Sequence, residues 1–528
     1  MLFNINNRRV NFLKRLLSSC LCIGMTALCA CNKTNISSNV EIEEIIKDMR
    51  SQYDTDNTST DNSSFNNSNS TPGNVNSGNS SQNDNSNITS SGNNQGNVPD
   101  QSIGNTDYNN SGSNGSKGPQ TTFTPITEAD AIANSDKYIK SLASELKMSA
   151  GYASILTSAY SNANNARLAG LIKKALKGEN LVIATIGGSI TNGAKASNTF
   201  KNYPNRILSW FKKTFPNIEV TLINAGIGAT TSAMGAYRIK EDVLAFDPDL
   251  IILEFAVNDN GNGDYLTTTY EGLVRNALSY EDAAVVCLYL SQRDRGTAQS
   301  EEETVGKHYK LPQISMLEAF GDYTDYGDMF AANDNLHPND LGHGRIGLLV
   351  DLMLAESLKK LSAAESDYTI PAIKYSGASV YGKDDYLLKL KYTDNISFIR
   401  NKSDAVTNKI TFNNNDYTLK TKEYKLSNHT FSVINISKGK ALEMEIKDVR
   451  GFCIIMNRDT DGGNAKITVT EKDTGKTTTE TISSITTFSH LWNTPPLYAA
   501  SDKKQHTLTV KIESLENNFS IAAFGIND

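Results

Sequence analysis

Between residues 181 and 290 the chain carries four short, almost wholly apolar runs, at 181–186, 218–223, 249–256 and 284–290. Stretches of helical period lie near 203–214, 231–245 and 267–279, and a last one covers 341–361. A run that is apolar at nearly every position is a strand buried on both faces, because a strand with one wet face alternates. Strands and helices in strict alternation leave one main architecture, an α/β fold whose parallel sheet is covered by helices on both sides. In such a sheet every strand ends on the same edge, so the loops after successive strands converge on one crevice.

The loops at that edge carry the chemistry. The first reads Gly187-Gly188-Ser189-Ile190-Thr191, the second Asn224-Ala225-Gly226-Ile227-Gly228-Ala229-Thr230, and the third Ala256-Val257-Asn258-Asp259. Far along the chain, just before the last helix, comes Asp334-Asn335-Leu336-His337-Pro338. A serine hydroxyl is a weak nucleophile until a base takes its proton and a carboxylate orients that base, and Asp334 with His337 offers both from one loop. Gly-Gly-Ser after a strand also describes a plain turn or a phosphate loop. No Gly-Lys-Ser/Thr follows, and no G-x-G-x-x-G occupies this turn, which disfavours a nucleotide site. The Asp334/His337 pair has a second reading as the cap of the helix that begins near Asn339.

These four blocks, in this order and spacing, resemble the SGNH, or GDSL, hydrolase superfamily over roughly residues 179–362. The resemblance implies a flavodoxin-like, three-layer parallel sheet. It implies that Ser189 is the nucleophile, His337 the general base and Asp334 the residue that orients the imidazole. It also implies an oxyanion hole of three donors: the Ser189 N–H, a main-chain N–H at Gly228 or Ala229, and the side-chain amide of Asn258. Preorganised donors of this kind are each worth roughly 3–4 kcal/mol in other hydrolases. The sequence departs from the family pattern in having Gly188 for the aspartate, Ala229 for the second-block glycine and Ala256 for the glycine before the asparagine. Alanine keeps the N–H donor at 229 if its φ is negative, whereas a positive φ there points to Gly228. The G-x-S-x-G elbow of α/β-hydrolases fits less well, because Thr191 stands in its final position.

The beginning of the chain bears on where the enzyme works. Arg8, Arg9, Lys14 and Arg15 precede an apolar stretch that ends at Leu28-Cys29-Ala30-Cys31. This is the pattern of a secretory signal over 1–30, and its ending resembles a bacterial lipobox, which implies lipidation of Cys31. The rival reading, a transmembrane anchor, needs a longer apolar run of about 20 residues. Residues 31–121 then read as a lipid-anchored tether rich in Asn, Ser and Gly. Its central 70 or so residues lack the apolar side chains of a core and would span roughly 45–50 Å. Ile42, Ile45, Ile46 and Met49 recur at helical spacing near the anchor. The net charge of −7 becomes about −11 once the four basic signal residues are removed, which disfavours a nucleic-acid partner. Of the cysteines beyond Cys31, Cys287 and Cys453 are left, and Cys287 sits inside an apolar run, so a buried thiol is expected rather than a disulfide.

Residues 122–178 read as a helical lead-in, with Tyr138, Ile139, Leu142 and Leu146 on one stripe and Leu168, Leu171, Ile172 and Leu176 on another. Residues 366–528 change character, for Leu442, Met444 and Ile446, like Leu508, Val510 and Ile512, alternate with polar neighbours. That is the period of half-buried strands and predicts an all-β sandwich of jelly-roll type. Trp492 and Tyr498 are candidates for a sugar-stacking platform, with a core or interface role as the alternative. Together these features predict an extracellular, lipid-anchored serine esterase that removes O-acetyl groups from a carbohydrate and needs no metal or organic cofactor. A lipase, thioesterase or lysophospholipase of the same fold is the enzymatic alternative. An inactive glycan-binding lipoprotein is the alternative of a different class.

Overall fold

Six strands form the first sheet: β1 (Tyr160–Ser161), β2 (Leu181–Gly187), β3 (Val220–Gly226), β4 (Leu250–Glu254), β5 (Ala284–Tyr289) and β6 (Gln313–Ser315). The computed structural model describes residues 124–528, apart from 149–154, 156–159, 162, 262–264, 281, 373, 375–388, 392–408, 425–428, 503 and 528. The signal sequence, Cys31, the tether and the stripe from Ile42 to Met49 lie outside the described residues. The order in the sheet is β1-β6-β5-β4-β2-β3. Strands β2 to β6 pair parallel, and β1 adds antiparallel to β6. The chain steps from β2 outward to β3 and then returns to β4 on the other side of β2. The strand order therefore reverses between β2 and β4, where open α/β sheets bind their ligands.

Nine helices matter here: α1 (Glu128–Glu145), α2 (Ala166–Leu176), α3 (Ser189–Asn192), α4 (Tyr203–Thr214), α5 (Ser232–Asp242), α6 (Ala256–Asp259), α7 (Tyr265–Leu278), α8 (Gln299–His308) and α9 (Asp340–Lys359). The period of two in each strand sorts its side chains between two cores. Leu181, Ile183, Leu250, Ile252, Val286 and Leu288 face one side, with α1, α2, α4 and α9. Ala184, Ile186, Ile251, Leu253, Val285 and Cys287 face the other, with α5, α7 and α8. The lead-in thus belongs to the hydrolase layer: Ala131, Ile139 and Leu142 of α1 are buried, and the buried Trp210 of α4 donates to Ser135 Oγ at 3.0 Å. Sequence periodicity placed four strands but passed over β6 and β1, which are three and two residues long, too short to show a period.

The C-terminal half builds two antiparallel sheets from β7 (Lys389–Lys391), β8 (Ile410–Phe412), β9 (Thr418–Tyr424), β10 (His429–Ile436), β11 (Ala441–Val449), β12 (Gly451–Arg458), β13 (Asn464–Glu471), β14 (Thr477–Ser483), β15 (His490–Asn493), β16 (Tyr498–Ala499), β17 (His506–Ser514) and β18 (Phe519–Asn527). One has the order β15-β12-β18-β10-β9, with β16 on β12 and β7 on β18, and the other the order β14-β13-β17-β11-β8. Consecutive strands repeatedly cross between the sheets, and the inner faces meet in one core that joins Ile454, Phe519 and Ile521 to Met444, Ile467 and Val510. This is the expected sandwich.

The sandwich is not a separate bead. The outer face of its first sheet presents Val433, Cys453, Ile455, Leu491, Ala522 and Ala523, and these share a core with Met234 and Tyr237 of α5. All eight residues of β12 are consequently buried. Cys453 Sγ lies 3.1 Å from the Tyr237 hydroxyl. Neither Cys287 nor Cys453 is in a disulfide, and both are buried, as the apolar run around Cys287 predicts for that residue. The connecting segment is pinned as well, through Tyr368 Oη to the Tyr309 carbonyl at 2.6 Å and Arg275 to the Pro371 carbonyl at 3.1 Å.

Candidate active site

Strand β2 runs straight into Gly188, and Ser189 begins the single turn of α3. Ser189 Oγ lies 2.9 Å from His337 Nε2, and His337 Nδ1 lies 2.8 Å from Asp334 Oδ2. The other Asp334 oxygen accepts the backbone N–H groups of Leu336 at 2.8 Å and His337 at 3.0 Å. One carboxylate thus orients the imidazole and fixes the backbone that bears it, which is why three residues of separation suffice. Burial pushes the Asp334 carboxyl up, but the hydrogen bonds from His337 and Leu336 outweigh it and hold the group well below the usual carboxylate range. Asp334 therefore stays ionised, with His337 Nδ1 as its donor and Nε2 left to serve the serine. The cap of α9 is Asn339, whose side chain accepts from Leu341 and Gly342. Asp334 and His337 are thereby spared for the site.

The second histidine nearby, His343, has both ring nitrogens engaged, Nε2 with the Ala194 carbonyl at 2.9 Å and Nδ1 with the Tyr203 N–H at 3.4 Å. Its burial lowers its pKa to about 4, so it is a neutral packing residue.

Asn258, in α6 at the end of β4, packs against the Ser189 turn. A Cβ on Gly188 would fall 2.1 Å from Asn258 Oδ1, so the close approach of the carboxamide requires glycine there. Gly188→Ala should push the amide aside and lower kcat about 10²-fold, the scale of losing one oxyanion donor. Steady-state kinetics on p-nitrophenyl acetate would test this, and fluorophosphonate labelling should show Ser189 still reactive. An unchanged kcat would mean that the amide takes no part in the reaction.

Ala229 adopts φ +59°, in the left-handed region. That costs an alanine roughly 1–2 kcal/mol. It is also the condition under which the sequence pointed to Gly228 as donor, and Gly228 is buried whereas Ala229 is half-buried. The turn is tied to the nucleophile turn by Asn224 Nδ2 on the Thr191 carbonyl at 2.9 Å and Asn192 Nδ2 on the Gly226 carbonyl at 3.3 Å.

Several supporting residues escaped the sequence reading. Arg238, fully buried, donates to the carbonyls of Ala225 at 2.6 Å and Gly187 at 3.0 Å and pairs with Asp242 at 3.0 Å, clamping the ends of β2 and β3. Glu254 accepts from Thr191 Oγ1 at 2.7 Å beneath the serine turn. Burial raises its pKa to about 8 against the hydrogen bonds from Thr191 and Gly188. The available signals were an Arg–Asp pair at i,i+4 in the helix after the second-block turn and a lone glutamate ending an apolar strand.

Of the two candidates for a sugar-stacking platform, the structure removes Tyr498 and gives Trp492 the core contact that was its alternative. Tyr498 is only 6% exposed, packs in the sandwich core and donates to Glu471 Oε1 at 3.0 Å, so its ring has no open face. Trp492 is half-buried, packs against the same core, and has the Arg458 guanidinium 5.6 Å from its ring centre. Alternation in β15 explains this, because Leu491 faces the hydrolase layer and Trp492 the sandwich interior.

A serine, a histidine and an aspartate in hydrogen-bond sequence, at the reversal point of a parallel sheet, are the arrangement of a serine hydrolase. Residues 185–345 match the GDSL-like lipase/acylhydrolase family, and the chain carries a domain of that family. It is a carboxylic-ester hydrolase. No curated protein matches the chain. Among solved structures it is similar to a two-domain esterase, CEX, described as active on acetylated mannans. That match has a TM-score of 0.58 and 23% identity, over 71% of this chain and 99% of that one. The same esterase co-crystallised with mannopentaose matches with a TM-score of 0.56 and 23% identity, over 71% and 98% of the two chains. These likenesses extend the shared fold across both layers, hydrolase and sandwich.

Proposed function

We propose that this protein is an extracellular serine esterase that removes O-acetyl groups from a polysaccharide, anchored to the membrane through lipid on Cys31. The observation that carries the reading is the continuous relay from Ser189 through His337 to Asp334, with Asn258 and the Gly228–Ala229 turn beside it. His337 accepts the serine proton as Oγ attacks the acyl carbon, and the resulting oxyanion is held by the Ser189 N–H, the Gly228 N–H and the Asn258 amide. His337 then protonates the departing sugar hydroxyl. Water, deprotonated by the same imidazole, releases acetate from the acyl-enzyme. The substrate class is supported by the two-domain fold shared with an esterase active on acetylated mannans. The location is supported by the signal-like segment ending at Cys31 and the polar tether after it.

The test is acetate release by the purified protein from acetylated mannan and acetylated xylan, beside p-nitrophenyl acetate and laurate. Release from at least one glycan and a preference for acetate over laurate of tenfold or more are expected. The reverse preference would establish the lipase alternative, and glycan retention without turnover the binding-protein alternative. In producing cells, labelled fatty acid should enter the wild type and not Cys31→Ser. Equal labelling would remove the anchor.

A further inference from the structure

Behind the oxyanion turns lie three enclosed carboxyl side chains: Glu254 at the end of β4, Asp259 in α6 and Glu302 in α8, exposed by 0%, 5% and 1%. Asp259 follows Asn258 directly. Its Oδ1 accepts the backbone N–H of Ser232 at 2.9 Å, and Ser232 opens α5 three residues after Ala229. One carboxyl therefore joins the turn bearing the Asn258 amide to the turn bearing the Gly228 N–H. Its other oxygen faces Glu302. Among the described residues, Asp259 Oδ2 and both Glu302 oxygens meet no hydrogen-bond donor apart from each other. Two ionised carboxylates in such an enclosure would repel across oxygens that meet no donor, and the single N–H of Ser232 on the far oxygen of Asp259 does not offset this, so the arrangement holds together with a proton between them.

We propose that Asp259 and Glu302 form a proton-sharing acid pair that keeps the two arms of the oxyanion hole in register, which makes both of them positioning residues of the esterase. This rests on the esterase reading above. The groups facing the pair are Glu254 from β4, Ser232 from α5, Thr269 and Tyr270 from α7, Cys287 and Tyr289 from β5, and Glu301 beside Glu302 on α8. None of these is a cation. Burial raises both carboxyls well above their ordinary range, and the mutual proximity of Glu302 and Asp259 raises Glu302 further. The shared proton is accordingly kept through neutral pH and lost on the alkaline side. Its loss leaves two like charges that push Asp259 of α6 away from Glu302 of α8 and so shift the carboxyl that holds the Ser232 N–H at the start of α5. Because oxyanion donors act mainly on the transition state, the loss appears in kcat rather than KM.

The experiment measures kcat and KM of the full protein on p-nitrophenyl acetate from about pH 6 to 9, for wild type, Glu302→Ala, Glu302→Gln and Ser189→Ala. Glu302→Ala should lower kcat at least tenfold with KM within threefold. Glu302→Gln, which keeps hydrogen-bonding groups but has no proton to lose, should restore at least half of kcat and abolish the alkaline fall. A wild-type kcat in Glu302→Ala, or an unaltered alkaline limb in Glu302→Gln, overturns the proposal. If Glu302→Ala does not fold, the pH profile of the isosteric Gln form decides alone. Turnover by Ser189→Ala equal to wild type would instead overturn the esterase reading. Fluorophosphonate labelling of Ser189 with indifferent Glu302 variants would overturn only the acid pair.

Discussion

Ser189→Ala should lower kcat by about 10⁵- to 10⁶-fold, and His337→Ala by a similar factor, while the double variant is scarcely worse than either. The reason is geometric. Among the described residues, the 2.9 Å contact between Ser189 Oγ and His337 Nε2 is the path for the serine proton, so removing either end disables the same step. Asp334→Ala should cost less, on the order of 10⁴-fold, because the imidazole remains but loses its orienting partner at 2.8 Å. That variant also frees the backbone of the 334–337 loop, since Asp334 accepts the Leu336 and His337 N–H groups. Active-site titration beside steady-state rates on p-nitrophenyl acetate checks all four variants. Additive losses, with the double variant far below both singles, would show that Ser189 and His337 do not work as one unit.

Removing residues 365–528 should leave no soluble, active hydrolase. In a chain where a sandwich hangs beside an enzyme as an independent binding module, the enzyme survives its loss. Here the sandwich supplies Cys453, Ile455, Leu491, Ala522 and Ala523 to a core shared with Met234 and Tyr237. The helix it covers, α5, begins just after the Gly228–Ala229 turn, and Thr231 Oγ1 there lies 3.3 Å from Asn493 Oδ1 of the sandwich. Truncation therefore exposes an apolar face and unsupports the site at once. A single-residue version is Cys453→Asp, which buries a carboxylate in the shared core, with the Tyr237 hydroxyl beside it, at a cost of several kcal/mol. It should lower Tm by more than 10 °C and reduce activity in parallel, measured by scanning fluorimetry with esterase rates. A truncated enzyme turning over p-nitrophenyl acetate at the full rate would show that the sandwich is a passenger.

The sequence was most legible where chemistry and periodicity coincide. Strands β2, β4 and β5 are apolar on both faces, so their runs stand out, and the loops after β2 and β4 carry Ser189 and Asn258. Asp334 and His337 lie in one short loop, which made their pairing readable before any fold was known. The acid pair was not readable, because Asp259 and Glu302 sit on different elements and nothing local marks either as buried. Tyr498 misled for a related reason: an aromatic in a two-residue strand gives no period from which to tell the inner face from the outer. The joint between hydrolase and sandwich was hidden as well. In β12 the run Gly451–Arg458 includes Asn457 and Arg458, and only the fold shows that even these are covered.

The sheet that seals α5 has the order β15-β12-β18-β10-β9, with its centre formed by β18, the last strand in sequence. During synthesis the hydrolase layer is complete once α9 has left the ribosome, yet the apolar side of α5 still waits for partners made more than 160 residues later. Until Ala522 and Ala523 arrive, the nascent enzyme has a hydrophobic flank and an unbraced site. Such a chain braces its site only after β18 has been made, and synthesis interrupted before that strand should yield fragments that are idle and adhesive rather than partly active.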